Sequence, residues 1–241
     1  MSYVKIKVIK IAFVGASCAG RTRLLCVYCG IGYNEISTIG IHRMERMIKL
    51  KNGEEIKLHL YDTAGQERFR SISSSTFKTS NGAVISFDLT RRESFEDVIN
   101  WINIIKDIRD LSNYPIALFG NKCDLEDRII SKEEAELFAK NYNILYFETS
   151  AKENINVKES IEIFANEVYE NLLKNEDNFK INNIPNKKSQ KTKKETISEK
   201  ALNENIIEKR NINENKNNTK SKSNFGKEIL KFNILNKFTK Y

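Results

Sequence analysis

The sequence predicts an α/β domain, a mainly parallel sheet with helices on both faces, followed by a polar tail. Three observations predict it. Short apolar runs that read as strands alternate with stretches of helical periodicity, the order of a parallel sheet covered on both sides. Two alternating strands flank Asn52-Gly53, a hairpin signal that adds one antiparallel strand at an edge. From Asn175 to Tyr241 the chain is dense in Asn, Lys, Ser and Glu, with few large apolar residues before Phe225. Such a segment cannot bury enough apolar surface to offset its ordering entropy. Residues 1–174 are therefore expected to form the domain and residues 175–241 a disordered, basic, Asn/Lys-rich tail.

The elements follow in order. "YVKIKVIKIAFVG" (3–15) alternates apolar and basic residues and then turns continuously apolar, a strand entering a core and ending at a glycine. "TRLLCVYC" (22–29) reads as a short helix leaving the glycine-rich turn. "RMERMIKLKNGEEIKLHLYD" (43–62) is the hairpin. "GAVISFDL" (82–89) is a short buried strand, and "RESFEDVINWINIIKDIRDL" (92–111) one helix. "YPIALFGNK" (114–122) is another buried strand, with Pro115 at its start. In "SKEEAELFAKNY" (131–142), Ser131 and Glu134 form a capping box, which places a helix start. "ILYFETS" (144–150) is the last strand and "NVKESIEIFANEVYENLL" (156–173) the last helix. Ligands in such sheets sit at the carboxyl ends of the strands.

Charge is divided unevenly. The tail holds 16 Lys+Arg against 8 Asp+Glu, which accounts for the whole net charge of +8. Residues 1–174 are neutral, so the domain needs no nucleic acid partner to explain it. No secretory signal and no apolar run near the ~20 residues of a membrane span are present, so a cytoplasmic setting is expected. Of the four cysteines, Cys26 and Cys29 form a C-x-x-C. A zinc site wants two further ligands, and neither His42 nor His59 supplies an evident pair, so the two read as structural cysteines on a short helix.

Four loops carry chemistry. "GASCAGRT" (15–22) matches G-x-x-x-x-G-K-[ST] except that Arg21 stands for the lysine. Its backbone N–H groups, from Gly15 through Ser17, Cys18, Ala19, Gly20, Arg21, Thr22 and Arg23, can wrap phosphates, aided by the helix N-terminus. Thr22 offers a hydroxyl to Mg2+. In "YDTAGQERF" (61–69), Asp62 is a hard oxygen donor suited to Mg2+. Gly65 lets its N–H approach a γ-phosphate, and Gln66 can orient an attacking water without ionising. In "GNKCD" (120–124), Asp124 can accept from N1–H and the 2-amino group of guanine, where adenine offers no donor. An acceptor buried without a donor costs about 1–3 kcal/mol, so this loop selects the base. The Lys122 stem can lie on the purine face, and Asn121 can tie loops together. In "ETSAK" (148–152), the loop carrying Ser150, the Ala151 N–H can meet the guanine O6 and Lys152 can cover the ring.

All four loops, each after a strand, make the sequence resemble the Ras superfamily of small GTPases, most closely its Rab branch. "STIGI" (37–41), "DTAGQERFRSI" (62–72), "NKCDL" (121–125) and "ETSAK" carry the resemblance, which covers residues 3–173. It implies the P-loop small GTPase fold: a six-stranded, mainly parallel sheet, one antiparallel edge strand and two switch segments. It implies Thr38 as a Mg2+ ligand that senses the γ-phosphate, Gln66 as the residue positioning water, and Arg21 at the catalytic lysine's place. It implies a switch that cycles between GTP and GDP with Mg2+. An exchange factor, a GTPase-activating protein and effectors of vesicle trafficking would be its partners.

The departures are specific. Besides Arg21, Cys18 holds a position that is usually Gly. Between Arg21 and Thr38 the chain is about two residues shorter than the usual spacing, and Tyr33 is the candidate for the guanine-side aromatic. His42-Arg43 stands where Rabs usually show Asp-Phe, and Tyr61 where they show Trp, so a familiar effector is not implied. No cysteine follows Cys123, so no prenyl anchor is expected from this sequence. "FGKEILKFNILNKF" (225–238) has a basic, imperfectly amphipathic stripe that could give weak contact with the cytosolic face of a membrane. The alternative to a working switch is a pseudo-GTPase scaffold, impaired in nucleotide binding, that keeps the fold and the surface.

Overall fold

A computed structural model describes residues 7–32, 41–63 and 70–182, with the backbone alone at 70–74 and 177–182. β1 (Lys7–Gly15) leads through a glycine-rich turn into α1 (Arg21–Cys29). β2 (Ile41–Lys49) and β3 (Glu55–Thr63) follow as an antiparallel hairpin. Its loop closes through Leu50, whose N–H bonds Glu54 O at 2.8 Å, and through Asn52, whose Oδ1 accepts from the Glu54 N–H at 3.0 Å. Then come α2 (Arg70–Thr79), β4 (Gly82–Asp88), α3 (Arg92–Glu96), α4 (Val98–Lys106), β5 (Ile116–Asn121), α5 (Lys132–Tyr142), β6 (Leu145–Thr149) and α6 (Val157–Asn182).

The sheet runs β2-β3-β1-β4-β5-β6, with β2 the antiparallel edge strand and every other pairing parallel. This is the expected six-stranded architecture. Alternate residues of the central strands feed two cores, as the period-2 pleat requires. Ile9, Ile11, Phe13, Val84 and Phe119 face α1 and α6, where Leu24, Tyr28, Phe164 and Val168 cover them. Ala12, Val14, Ile85, Phe87 and Leu118 face the other side, against Phe77, Phe95, Trp101, Ile105 and Ala135. All the described parallel strands therefore end at one edge, with their terminal residues locked by packing on both faces.

Three elements differ from expectation. The helix expected over 92–111 is two helices separated at Asp97, and it stops at Lys106. The Asp97 carboxylate takes the Trp101 indole N–H and the Asn100 amide, both at 2.9 Å, and a short 3₁₀ turn at Leu111–Asn113 follows. Helix α2 has no counterpart in the reading of the sequence, because "RSISSSTFKT" is dominated by Ser and Thr, which favour caps and turns over helix interiors. Phe77, fully buried, is what fastens it to the sheet. The last helix continues beyond residue 174 to Asn182. The start of α5 matches: Ser131 Oγ accepts from the Glu134 N–H at 3.1 Å. The Glu134 carboxylate does not return the bond of a capping box; it accepts from Arg92 Nη1 and Nη2, at 2.5 and 3.1 Å, joining α3 to α5.

Candidate functional site

Five parallel strands, β1, β3, β4, β5 and β6, end at the carboxyl edge of the sheet. β1 ends at Gly15, whose φ is +133° and where a Cβ would stand 2.0 Å from the carbonyl oxygen of Ser86 on β4. Only glycine permits strands this close at that angle. Ser17 and Cys18 are exposed at the tip of the turn, while Ala19 is buried. Cys18 has a φ of +63°, the left-handed conformation that its glycine-like position implies. Gly20 (φ +81°) caps α1, and Arg23 lies exposed on that helix.

Arg21 is buried, at 6% exposure, with its guanidinium turned back into the protein. Nη1 donates to Gly15 O at 2.5 Å and to Ala16 O at 2.7 Å, and Nη2 donates to Thr63 O at 2.9 Å. Nε faces Asp62 Oδ1 at 3.7 Å, an ion-pair distance, and Asp62 is fully buried. Burial draws the Arg21 guanidinium below the usual arginine range, and Asp62 opposes that shift. The Thr22 hydroxyl donates to the other carboxylate oxygen of Asp62 at 2.6 Å. The two residues expected to share a metal are thus brought side by side from α1 and β3.

Asn121, at the end of β5, joins three loops. Its Nδ2 donates to Ala19 O at 2.8 Å, and its Oδ1 accepts from the Thr149 hydroxyl and the Ala151 N–H, each at 3.3 Å. This is the tying role its position suggested. Ala151 and Ser150 are buried, and Ser150 Oγ accepts from the Glu153 N–H at 3.0 Å. Lys152 is exposed and pairs with Glu153 at 3.3 Å. Asp124 is half-buried on the loop after β5. Lys122 takes a φ of +66° and sends its amine to Asp88 Oδ2 at 2.6 Å.

Asp88 was not among the residues singled out from the sequence. It ends β4, is buried, and also accepts from Thr90 N and Oγ1 at 2.9 and 2.7 Å. Burial alone would raise its pKa, but the Lys122 and Thr90 bonds outweigh that and hold it below the usual carboxylate range. Next to it Arg91 donates to Ser17 O at 3.1 Å, linking the fourth strand's loop to the glycine-rich turn. The available signal was an acidic residue closing a short strand of buried character, comparable with Asp62 one residue before the end of β3. Tyr33, Thr38, Gly65 and Gln66 lie outside the described residues, as does the stretch 225–238. The cysteines Cys26 and Cys29 sit on α1, one buried and one half-buried, as structural cysteines would.

A glycine-rich loop, a Thr–Asp pair, an Asn–Lys–Asp loop and a Ser–Ala–Lys loop, all at one sheet edge, point to one family, and the Ras family model matches residues 10–170. The chain belongs to the Ras family. Within it the similarity is to Rab proteins, so this is a Rab-like small GTPase of that superfamily. The chain is 39% identical to the Ras-related protein Rab-8 of Diplobatis ommata, over 76% of this chain and 91% of that protein. It is 36% identical to the Ras-related protein RABA5c of Arabidopsis thaliana, over 71% and 82% of the two chains. It is 37% identical to the Ras-related protein Rab-13 of Rattus norvegicus, over 66% and 79%. His42 and Arg43, which depart from Rab usage, are exposed at the start of the edge strand of this Rab-like domain, and Arg43 pairs with Glu45 at 3.0 Å.

Proposed function

We propose that this Rab-like domain is a guanine-nucleotide switch that binds GTP and GDP with Mg2+, hydrolyses GTP slowly and serves intracellular vesicle trafficking. The observation that carries the reading is Asn121. One buried side chain holds the glycine-rich turn through Ala19 and the base-side loop through Ala151. A phosphate-binding element and a base-reading element are thereby kept at fixed separation, which is what binding a whole nucleotide requires. The backbone N–H groups from Gly15 to Arg23 would take the phosphates, and Asp124 with Ser150, Ala151 and Lys152 would read guanine. Lys122, anchored on Asp88, would cover the ring with its stem.

Thr22 Oγ1 and Asp62, 2.6 Å apart, are hard oxygen donors of the kind Mg2+ takes, so the donor set fits that ion; Thr38 would complete it. When bound, Mg2+ offsets the charge on the phosphate oxygens. Gln66 would orient the attacking water. Tyr33 would border the base. Exchange factor, activating protein and effectors would act on the switch segments, with the protein peripheral on the cytosolic face of a membrane and the basic tail its weak contact.

A second reading, the pseudo-GTPase scaffold, is favoured by one observation: the Arg21 guanidinium already serves three backbone carbonyls and Asp62. Denaturing the purified full chain and chromatographing what it releases separates the two. GDP or GTP supports the switch; no nucleotide, with no uptake of added GTP, supports the scaffold; ATP would sink both readings.

A further inference from the structure

The buried cation beside Asp62 comes from the protein itself. Two strand ends converge there, with Phe13 of β1 level with Asp62 of β3. Thr63 is fixed between them by its hydroxyl, which donates to Phe13 O at 3.0 Å. The Arg21 guanidinium spans both: the Gly15 and Ala16 carbonyls on one side, Thr63 O on the other, and Asp62 Oδ1 at 3.7 Å in between. With Arg21 6% exposed and Asp62 at 0%, neither charge is screened by water. A planar fork of five donors suits such a spread; a compact ammonium with three donors does not reach all of it. Moving the guanidinium away would strand buried carbonyls, which is costly. The second carboxylate oxygen is engaged too, by the Thr22 hydroxyl. A divalent ion taking the Thr22 hydroxyl oxygen and Asp62 as ligands would therefore replace that hydrogen bond and stand close to a buried like charge.

We propose that Arg21 is the resident cation of the Asp62 site, so that guanine nucleotide is retained with little dependence on Mg2+. This rests on the nucleotide reading above. It gives the arginine a role that lysine could not fill: the positive charge opposite Asp62 is built into α1 and does not leave when the metal does. Nucleotide exchange would then be insensitive to the divalent ion, and the Arg21→Lys variant would regain that sensitivity because its shorter reach releases Asp62.

The test uses the full chain loaded with a fluorescent GDP analogue, with release followed in millimolar Mg2+ and in excess EDTA. The expected result is that chelation changes the unaltered protein's release rate by less than about threefold, while Arg21→Lys accelerates about tenfold or more. Equal acceleration of the two proteins would overturn the proposal. If the chain takes up no guanine nucleotide, the nucleotide reading fails, and the cation is tested on the nucleotide-free protein by thermal melting against Mg2+ concentration. The unaltered protein's midpoint should not move, while that of Arg21→Met should rise as Mg2+ takes the vacated place beside Asp62. Arg21→Lys serves the same comparison if Arg21→Met does not fold. A Mg2+-dependent rise in the unaltered protein, or no rise in the variant measured, overturns the proposal.

Discussion

The amide nitrogen of Asn121 stands 2.2 Å from where a Cβ on Gly20 would lie. Gly20 also has a φ of +81°, so an alanine there is strained by its own backbone as well as by the neighbour. Gly20→Ala should push Asn121 off Ala19 O. The strain and the lost buried bond together should cost about 2–3 kcal/mol. Denaturant unfolding of the nucleotide-free protein measures this. A midpoint within error of the original would mean that Asn121 relaxes freely and is no tie.

Asp124→Asn should weaken GTP and favour xanthine nucleotides, because the amide reverses one donor–acceptor pairing with the base. A competition assay among GTP, XTP and ATP reads this. The expected loss for GTP is about 1–3 kcal/mol, the cost of a mismatched buried polar contact. An unaltered protein that holds ATP as well as GTP would remove Asp124 from base reading.

Gln66→Leu should slow single-turnover hydrolysis while leaving GTP affinity nearly intact, since Gln66 is assigned to the water and not to the bound ground state. Equal rates in the two proteins would take Gln66 out of the chemistry and favour the scaffold.

Asp88 should make stability depend on acid pH. Its folded pKa lies below the ordinary 3.8, with burial pushing it up and the Lys122 and Thr90 bonds overriding that. A depressed folded pKa stabilises above the unfolded value and ceases to do so as pH falls through the folded one. The unaltered protein should therefore exceed Asp88→Asn by about 1–3 kcal/mol near neutrality. The gap should begin to narrow below about pH 4, where the unfolded chain's carboxylate protonates, and close as pH falls through the lower folded value. Urea midpoints at several pH values test the closure; a constant gap down to pH 2 would show that charge is not the cause.

Cys18 and Arg21 belong to one turn and should couple. Cys18 has a φ of +63°, a conformation that costs a side chain on the order of 1 kcal/mol. In the presence of Mg2+, Arg21→Lys should tighten GTP by roughly 1–2 kcal/mol, about tenfold, with a further gain from Cys18→Gly. The same Arg21→Lys change should destabilise the nucleotide-free protein by about 1–3 kcal/mol through carbonyls left unpaired. Titration of a fluorescent GTP analogue into the double variant decides. Binding no tighter than the original would show that a lysine at position 21 gains no contact with the phosphates.

The sequence by itself determined the order of the strands and of most of the helices, the antiparallel edge, and the loops of the candidate site. Those signals are local: a period of two, a period near 3.6, a glycine where φ must be positive, a serine before a helix. The loop motif also pointed to Asn121 as a tie between loops, and the left-handed backbone at Cys18 follows from a position that the family resemblance gives to glycine. Tertiary structure alone decided the rest. Helix α2 exists because Phe77 has a core to enter, against the preference of its serines. The expected long helix divides where the Asp97 carboxylate takes the Trp101 indole. Asp88 became a site residue only when β4 and β5 lay side by side and brought Lys122 within 2.6 Å, 34 positions along the chain. Arg21 was readable as a missing lysine but not as an arginine turned inward. Which carbonyls and which carboxylate satisfy a buried guanidinium depends on how β1 and β3 end together, and no stretch of sequence around residue 21 encodes that.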